Sequence, residues 1–157
     1  MTVKSEKIKT YIFAIVLPLA VGGLAALITK NSFSFYKTLS RPFFAPPAIV
    51  FPIVWGLLYI LMGIGSARVY LTPSPARYTA VKLYLFQLVL NFFWPIIFFR
   101  LELLWLAFVW ILALTAAVIA MAVKFYEVDS TAGILQVPYV IWCIFACLLN
   151  FVVALMN

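Results

Sequence analysis

Five apolar runs follow one another along the chain, each close to the length that crosses a lipid bilayer. A spanning α-helix needs about 20 mainly apolar residues, and in lipid an open sheet edge would leave backbone groups without hydrogen bonds. Of the 157 residues, 68% are hydrophobic and 10% charged, against about 25% charged in a soluble domain. The sequence therefore predicts an all-α integral membrane protein, a single domain over 1–157, with a five-helix bundle spanning at 8–29, 51–70, 78–99, 103–126 and 133–156.

The amino-terminal stretch resembles a signal peptide, because Lys4, Lys7 and Lys9 precede the apolar run 11–28. This run is longer than the roughly 7–15 residues of a signal peptide's apolar region, so we interpret it as the first spanning helix. Basic residues are more numerous on the predicted side of the amino terminus, which the positive-inside rule places in the cytoplasm. That side carries Lys4, Lys7, Lys9, Arg68, Arg77, Lys82 and Lys124, and the other side carries Lys30, Lys37, Arg41 and Arg100.

The formal net charge of +7 does not indicate a nucleic-acid partner. The basic residues stand singly at the ends of apolar runs, as interfacial anchors do. The chain contains no histidine and only four carboxylates, all near span ends, so the sequence predicts no metal, no cofactor and no conventional acid–base pair. Cys143 and Cys147 are interpreted as small apolar filler, with a soft-metal or redox pair as the alternative.

The connection between the first two spans is long and rich in proline and aromatic residues. Pro42, Pro46, Pro47 and Pro52 each fix their own φ and push the preceding residue out of the α region. Residues 41–47 are therefore expected to be ordered but not helical. Because long ordered loops are usually functional, we expect a stiff lid over an apolar site.

Three predicted helices each present one face with large aromatic residues or amides, given the helical spacing. These faces carry Trp55, Tyr59 and Met62; Gln87, Asn91 and Trp94; and Trp142, Ala146 and Leu149 or Asn150. Amides can simply join helices by hydrogen bonds, whereas indoles with a few polar groups are typical of a small-molecule site. We favour a ligand pocket formed by Trp55, Asn91, Trp94 and Trp142, and helix joining for Gln87 and Asn150.

The fourth predicted helix carries features typical of packing and of the membrane interface. Trp105 and Trp110 lie near its start and are assigned by default to an interfacial aromatic belt. A face of small residues suits tight helix contact, within or between protomers; its members are Ala113, Ala116, Ala117 and Ala120.

Three segments, in order along the chain, resemble motifs of the TspO/MBR family. RPFFAPPAIVFPIVWGLLYILMG is similar to the family's KPxxxPPxxxxxxVWxxLYxxMG, QLVLNFFWPIIFF to its QLxLNxxWxxxFF, and VPYVIWCIFACLLN to its PYxxWxxFAxxLN. The resemblance covers the whole chain. It implies a bacterial cell-membrane protein with five helices, usually a homodimer in contact with membrane lipid.

The resemblance also implies a ligand site for tetrapyrroles such as protoporphyrin IX and for synthetic benzodiazepine-site ligands. With Tyr59 added from its helical face, the expected ligand-binding residues are Ala25, Ile28, Pro46, Pro47, Ile49, Phe51, Trp55, Tyr59, Asn91, Trp94, Trp105, Trp142, Ala146 and Leu149. Two departures concern animal members and their sterol ligands. Ala48 stands where these often have histidine, and the end FVVALMN lacks the Tyr and Lys or Arg of their sterol segment, so cholesterol transport is not expected.

The sequence is consistent with three functions. The first is a membrane receptor or carrier that buries a tetrapyrrole between helices. The second is light- and oxygen-dependent degradation of the bound porphyrin, in which the oxidisable Trp55 and Trp142 would be the catalytic residues. The third is a structural or regulatory protein whose aromatic faces only pack helices.

Overall fold

The computed structural model describes residues 3–157, without the side chains of Val3 and Phe33, and within them it is all-helical. Five helices are long and apolar enough to cross a membrane, which confirms the predicted class. The helices are α1 (Val3–Thr29), a 3₁₀ turn (Lys30–Ser32), α2 (Phe33–Thr38), α3 (Val50–Leu71), α4 (Arg77–Pro95), a π-helical segment (Ile96–Arg100), α5 (Leu104–Val128), α6 (Ser130–Ile134) and α7 (Val137–Met156).

The helix ends differ from the predicted spans in two places. The third span is not one regular helix, because after Pro95 the chain widens into the π-helical segment, where the Leu101 N–H donates to the Ile96 carbonyl at 2.9 Å. Proline has no N–H to continue the α-helical ladder, and π-helical turns are often found at functional sites. The fifth span is likewise divided, since α6 ends at Ile134 and α7 starts at Val137 with Pro138 in its first turn.

The short connections predict that consecutive helices are antiparallel neighbours, and this fails for one pair, since α1 lies between α3 and α4. Helix α1 packs along α3, α4 along α5, and α5 along α7, while α1 also contacts α4. Around the bundle the order is therefore α3, α1, α4, α5, α7. Between α3 and α7 an apolar groove of about 590 Å³ remains at the lipid-facing surface. The alanine face of α5 is divided, since Ala117 is buried while Ala113, Ala116 and Ala120 are exposed.

Two glycines allow α1 and α3 to lie in close contact. A Cβ built on Gly63 would be 2.5 Å from the Ile15 Cα and 2.7 Å from the Ala14 carbonyl oxygen. A Cβ on Gly22 would collide with the Tyr59 ring. Small residues allow such close approach in membranes, where packing rather than water exclusion drives helix association.

The chain between α2 and α3 is ordered and non-helical, as predicted for residues 41–47. It is fixed from both sides: the Tyr36 hydroxyl donates to the Pro46 carbonyl at 3.3 Å, and the Arg41 guanidinium lies 4.7 Å from the centre of the Tyr36 ring. The Asn157 amide also accepts from the Ser40 N–H at 2.9 Å and donates to the Ser40 carbonyl at 3.0 Å. This loop therefore covers the end of the bundle from which α3 begins.

At the opposite end, Arg68 of α3 forms a bidentate ion pair with Asp129, which joins α5 to α6. The Arg68 Nε and Nη2 atoms lie 3.0 and 2.9 Å from the two carboxylate oxygens, and Asp129 also accepts from the Ala132 N–H at 2.8 Å as an N-cap. Mainly because of the hydrogen bond from Arg68, the pKa of Asp129 lies below its ordinary value of 3.8. The ionised carboxylate thus connects the second span to the fourth and fifth.

We expect Asp129→Asn to lower the free energy of unfolding by about 1 kcal/mol at neutral pH, because the ion pair is partly exposed. Asparagine can still accept the N-cap hydrogen bond from the Ala132 N–H, so the loss of stability measures the ion pair alone. A carboxyl whose pKa is lowered on folding stabilises above its ordinary pKa and loses that contribution as the pH falls through its folded value. Denaturation measured at pH 7, 4 and 3 should therefore show the wild-type advantage shrinking below about pH 4. A constant difference between the two proteins would contradict this account.

Candidate ligand-binding cavity

A cavity of about 300 Å³ lies between α1, α3 and α4, on the loop side of the close contact between α1 and α3. Its walls are mostly apolar. They are formed by Leu19, Gly22, Gly23, Ala25, Ala26 and Thr29 of α1, by Phe51, Pro52, Trp55, Gly56 and Tyr59 of α3, and by Asn91, Trp94, Pro95 and Phe99 of the third span.

Two indoles in the wall are held by their neighbours. Trp55 stacks on Tyr59, with ring centroids 5.5 Å apart, and meets the edge of Tyr139 at 5.9 Å. The Trp94 Nε1–H donates to the Asn150 side-chain oxygen at 3.1 Å. Because both rings are fixed by contacts made within the protein, they present preformed aromatic surfaces to the cavity.

A chain of hydrogen bonds leads from the cavity wall, at Tyr59 and Asn91, to Tyr139 and Gln87 behind it. The Tyr59 hydroxyl donates to the Asn91 Oδ1 at 2.7 Å, the Asn91 Nδ2 donates to the Tyr139 hydroxyl at 2.9 Å, and that hydroxyl donates to the Gln87 Oε1 at 2.7 Å. All four side chains are buried. Satisfied networks of this kind make a buried arrangement rigid and specific.

The cavity opens towards the bilayer on the side where α1 and α3 diverge, because Gly23, Ala26 and Pro52 on its rim are exposed. Gly23 and Gly56 differ from the two contact glycines, since a Cβ on either would meet nothing within 4 Å. At these two positions the missing side chain leaves free space in the cavity wall.

The structure places six of the fourteen predicted ligand-binding residues together in this cavity: Ala25, Phe51, Trp55, Tyr59, Asn91 and Trp94. Ala146 and Leu149 lie next to it, lining a space of about 20 Å³ that shares Phe51 and Trp94 as walls. This smaller space has room for about one water molecule.

The other six predicted residues lie elsewhere. Trp142 lines the apolar groove between α3 and α7, where its ring meets the edge of Phe51 at 6.0 Å. Pro46 and Pro47 line a surface depression of the loop beside Arg41. Ile28 is half-buried, while Ile49 and Trp105 are exposed by 66% and 53%. The position of Trp105 fits the interfacial belt that was its default assignment.

Sequence reasoning missed several members of the site. Gly56 and Gly23 line the cavity; for the small residues of the first span, Gly22, Gly23, Ala25 and Ala26, the sequence predicts only close helix contact. Tyr139 sits at the centre of the hydrogen-bond chain, and its position in the VPYVIWCIFACLLN segment was the available signal. Gln87, interpreted as a helix-joining amide, occupies the inner end of the same chain.

The wall contains no carboxylate and no basic side chain. Within residues 3–157, no three Cys, Asp or Glu side chains come together as a metal site requires. Cys147 instead contacts Thr115, with 3.1 Å between sulfur and hydroxyl oxygen, and Cys143 is buried. The arrangement can therefore hold a flat apolar molecule by its faces and orient it through an amide and a phenol, as binding sites do.

Five apolar helices, three of which enclose an indole-lined cavity, define the protein as a multi-pass integral membrane protein. A family model described as TspO/MBR matches residues 14–156. Tryptophan-rich protein TspO of Chlorobaculum tepidum is 35% identical over 98% of this chain and 99% of its own length. Protein CrtK of Rhodobacter capsulatus is 36% identical over 87% and 85%, and Translocator protein of Homo sapiens 38% identical over 75% and 72%. The chain belongs to the TspO/MBR family.

Proposed function

We propose that this protein is a membrane receptor or carrier that binds a tetrapyrrole of the protoporphyrin IX type in the cavity between α1, α3 and α4. One observation carries the proposal: two fixed indoles and a hydrogen-bonded amide face a common apolar space. Aromatic faces bind planar rings by stacking and by burying apolar area. The Asn91 amide and the Tyr59 hydroxyl would fix the orientation of the ring through its polar atoms.

The size and the opening of the cavity support the same ligand class. A volume of about 300 Å³ is at the lower end of the roughly 300–1,000 Å³ found for ligand pockets. A tetrapyrrole ring would therefore fill the space and extend through the open side between α1 and α3. Because that side faces lipid, an apolar ligand would enter and leave through the bilayer without crossing the ordered loop. The smaller synthetic ligands of the family would fit inside the cavity.

We expect Gly56→Leu to weaken protoporphyrin IX binding about tenfold or more, because the new side chain would occupy the free space in the cavity wall. The fold should be retained, since glycine in a helix costs roughly 0.5–1 kcal/mol relative to alanine. Binding is measured by quenching of tryptophan fluorescence during titration in detergent, and folding by thermal denaturation of the same samples. Gly23→Leu should act in the same way from the opposite wall.

The matched control is Ala20→Leu, which adds a leucine to an exposed position of α1 outside the cavity. We expect this variant to bind protoporphyrin IX like the wild type. Full affinity in Gly56→Leu and Gly23→Leu would exclude the cavity as the site. An equal loss of affinity in all three variants would mean that any added leucine disturbs the bundle.

A further inference from the structure

We infer that the cavity selects ligands carrying carboxylates, and that Arg100 is the specificity-determining residue that receives them at the loop end. This inference rests on the proposed function, because it concerns the ligand of the same cavity. It assigns the class of ligand as a planar apolar ring with an anionic edge, and it assigns the direction in which that edge points.

The first observation is the position of Arg100. Arg100 ends the π-helical segment, and the residue before it, Phe99, lines the cavity. The Arg100 Nη1 donates to the Ile28 carbonyl at 3.2 Å, directly before the cavity residue Thr29. The guanidinium is thereby held where the loop end of α1 meets the loop end of the third span, at the edge of the cavity.

The second observation is that this hydrogen bond leaves Arg100 with further donors. A guanidinium has five N–H groups in a planar fork, and the Ile28 carbonyl accepts from one nitrogen. The Arg100 side chain is exposed, so its remaining N–H groups are accessible to a ligand that extends from the cavity. Arginine binds carboxylates by two parallel hydrogen bonds, which provides geometric selection as well as attraction.

The third observation is the difference in charge pairing between the two ends of the bundle. The three ion pairs between described side chains, Lys9–Glu6, Arg68–Asp129 and Lys124–Glu127, all lie at the amino-terminal end. At the loop end, the described basic side chains of Lys30, Lys37, Arg41 and Arg100 face one acidic side chain, that of Glu102. Glu102 makes no ion pair within 4 Å among the residues that the structure describes. The basic side chains at the loop end are therefore not neutralised by ion pairs among the described side chains.

These observations fix an orientation for the ligand. The ring would lie inside, against Trp55, Asn91 and Tyr59, and its carboxylates would lie outside, at Arg100. A neutral ring of the same shape would keep the stacking contacts and lose the charge-assisted hydrogen bonds. Protoporphyrin IX has two propionate groups and its dimethyl ester has none, so the two compounds isolate this interaction.

The experiment measures the affinity of both compounds for wild type, Arg100→Gln, Arg100→Lys and Lys37→Gln, in a detergent without charge. We expect Arg100→Gln to weaken protoporphyrin IX binding about tenfold, as the loss of one charge-assisted interaction would, and to leave dimethyl ester binding unchanged. Arg100→Lys should restore part of the affinity because it keeps the charge. Lys37→Gln removes an exposed charge of α2 at the same end and should change neither affinity.

The outcomes separate the inference from the proposed function. If wild type binds neither compound, the proposed function is wrong. If wild type binds acid and ester equally and Arg100→Gln leaves both unchanged, the cavity binds the ring but Arg100 does not select carboxylates. Equal weakening of both compounds by Arg100→Gln would also overturn the inference, because it would mean that Arg100 only holds the end of α1 through Ile28.

Discussion

Replacing Gly63 by alanine should lower the free energy of unfolding by about 3 kcal/mol, the upper part of the range for overpacking a closely packed site. The added Cβ would lie 2.5 Å from the Ile15 Cα and 2.7 Å from the Ala14 carbonyl oxygen. Both are backbone atoms, so no rotation of a side chain can relieve the contact. Helix α1 would have to move away from α3, and the contact that closes one end of the cavity would open.

The measurement is equilibrium or thermal denaturation of Gly63→Ala in detergent, followed by circular dichroism. The control, Gly56→Ala, makes the same exchange on the same helix, where the new Cβ meets nothing within 4 Å. There we expect a gain of up to about 1 kcal/mol, from the better helix propensity of alanine. If both substitutions changed the free energy of unfolding alike, helix propensity alone would explain them. The close contact of α1 with α3 would then not contribute to stability.

Replacing Asn91 by leucine should cost about 2 kcal/mol of stability and weaken binding of the proposed ligand. The amide accepts from the Tyr59 hydroxyl and donates to the Tyr139 hydroxyl, and both phenols are buried. Hydrogen bonds between membrane helices contribute about 0.6–2 kcal/mol each, and a buried donor left without an acceptor adds a desolvation cost.

A double-mutant cycle identifies the cause of this loss. Tyr59→Phe removes the hydroxyl that Asn91→Leu leaves without an acceptor, so the double variant should lose about 1 kcal/mol less than the two single losses added together. Denaturation of the four proteins provides the comparison. Strict additivity would show that Tyr59 and Asn91 do not act as a pair. Thr10→Val removes a hydroxyl bonded only within α1 and should leave the pair unaffected.

Much of the fold follows from the sequence because bilayer thickness and helical periodicity act locally. The lengths of the apolar runs predicted five spans, and the prolines predicted an ordered, non-helical stretch before the second span; the structure confirms both. The spacing of Gln87, Asn91 and Trp94 placed them on one helical face, and all three are buried. The π-helical segment was not predicted, since Pro95 marks an interruption in the hydrogen bonding without specifying how the chain continues.

The candidate site was predicted only in part, because a helical face does not reveal what it meets. Trp55 and Trp142 each lie on an aromatic face, yet Trp55 lines the cavity and Trp142 lines the groove between α3 and α7. Trp142 lies in a different space from Trp55 because a groove remains between α3 and α7. Light-dependent chemistry on a ligand in the cavity would therefore meet Trp55 directly and Trp142 only across Phe51.

The sequence by itself determined that the chain folds in a lipid bilayer, how many spans it has and which helical face each polar residue occupies. All three depend on composition and on 3.6-residue periodicity. Only the tertiary structure decided which faces meet. It gave Gly22 and Gly63 the role of helix contacts, left Gly23 and Gly56 as cavity wall, and joined Tyr139 to Asn91 across 48 positions of the chain. The physical reason is that helix crossing and register set these distances, and they arise from the packing of all the helices together.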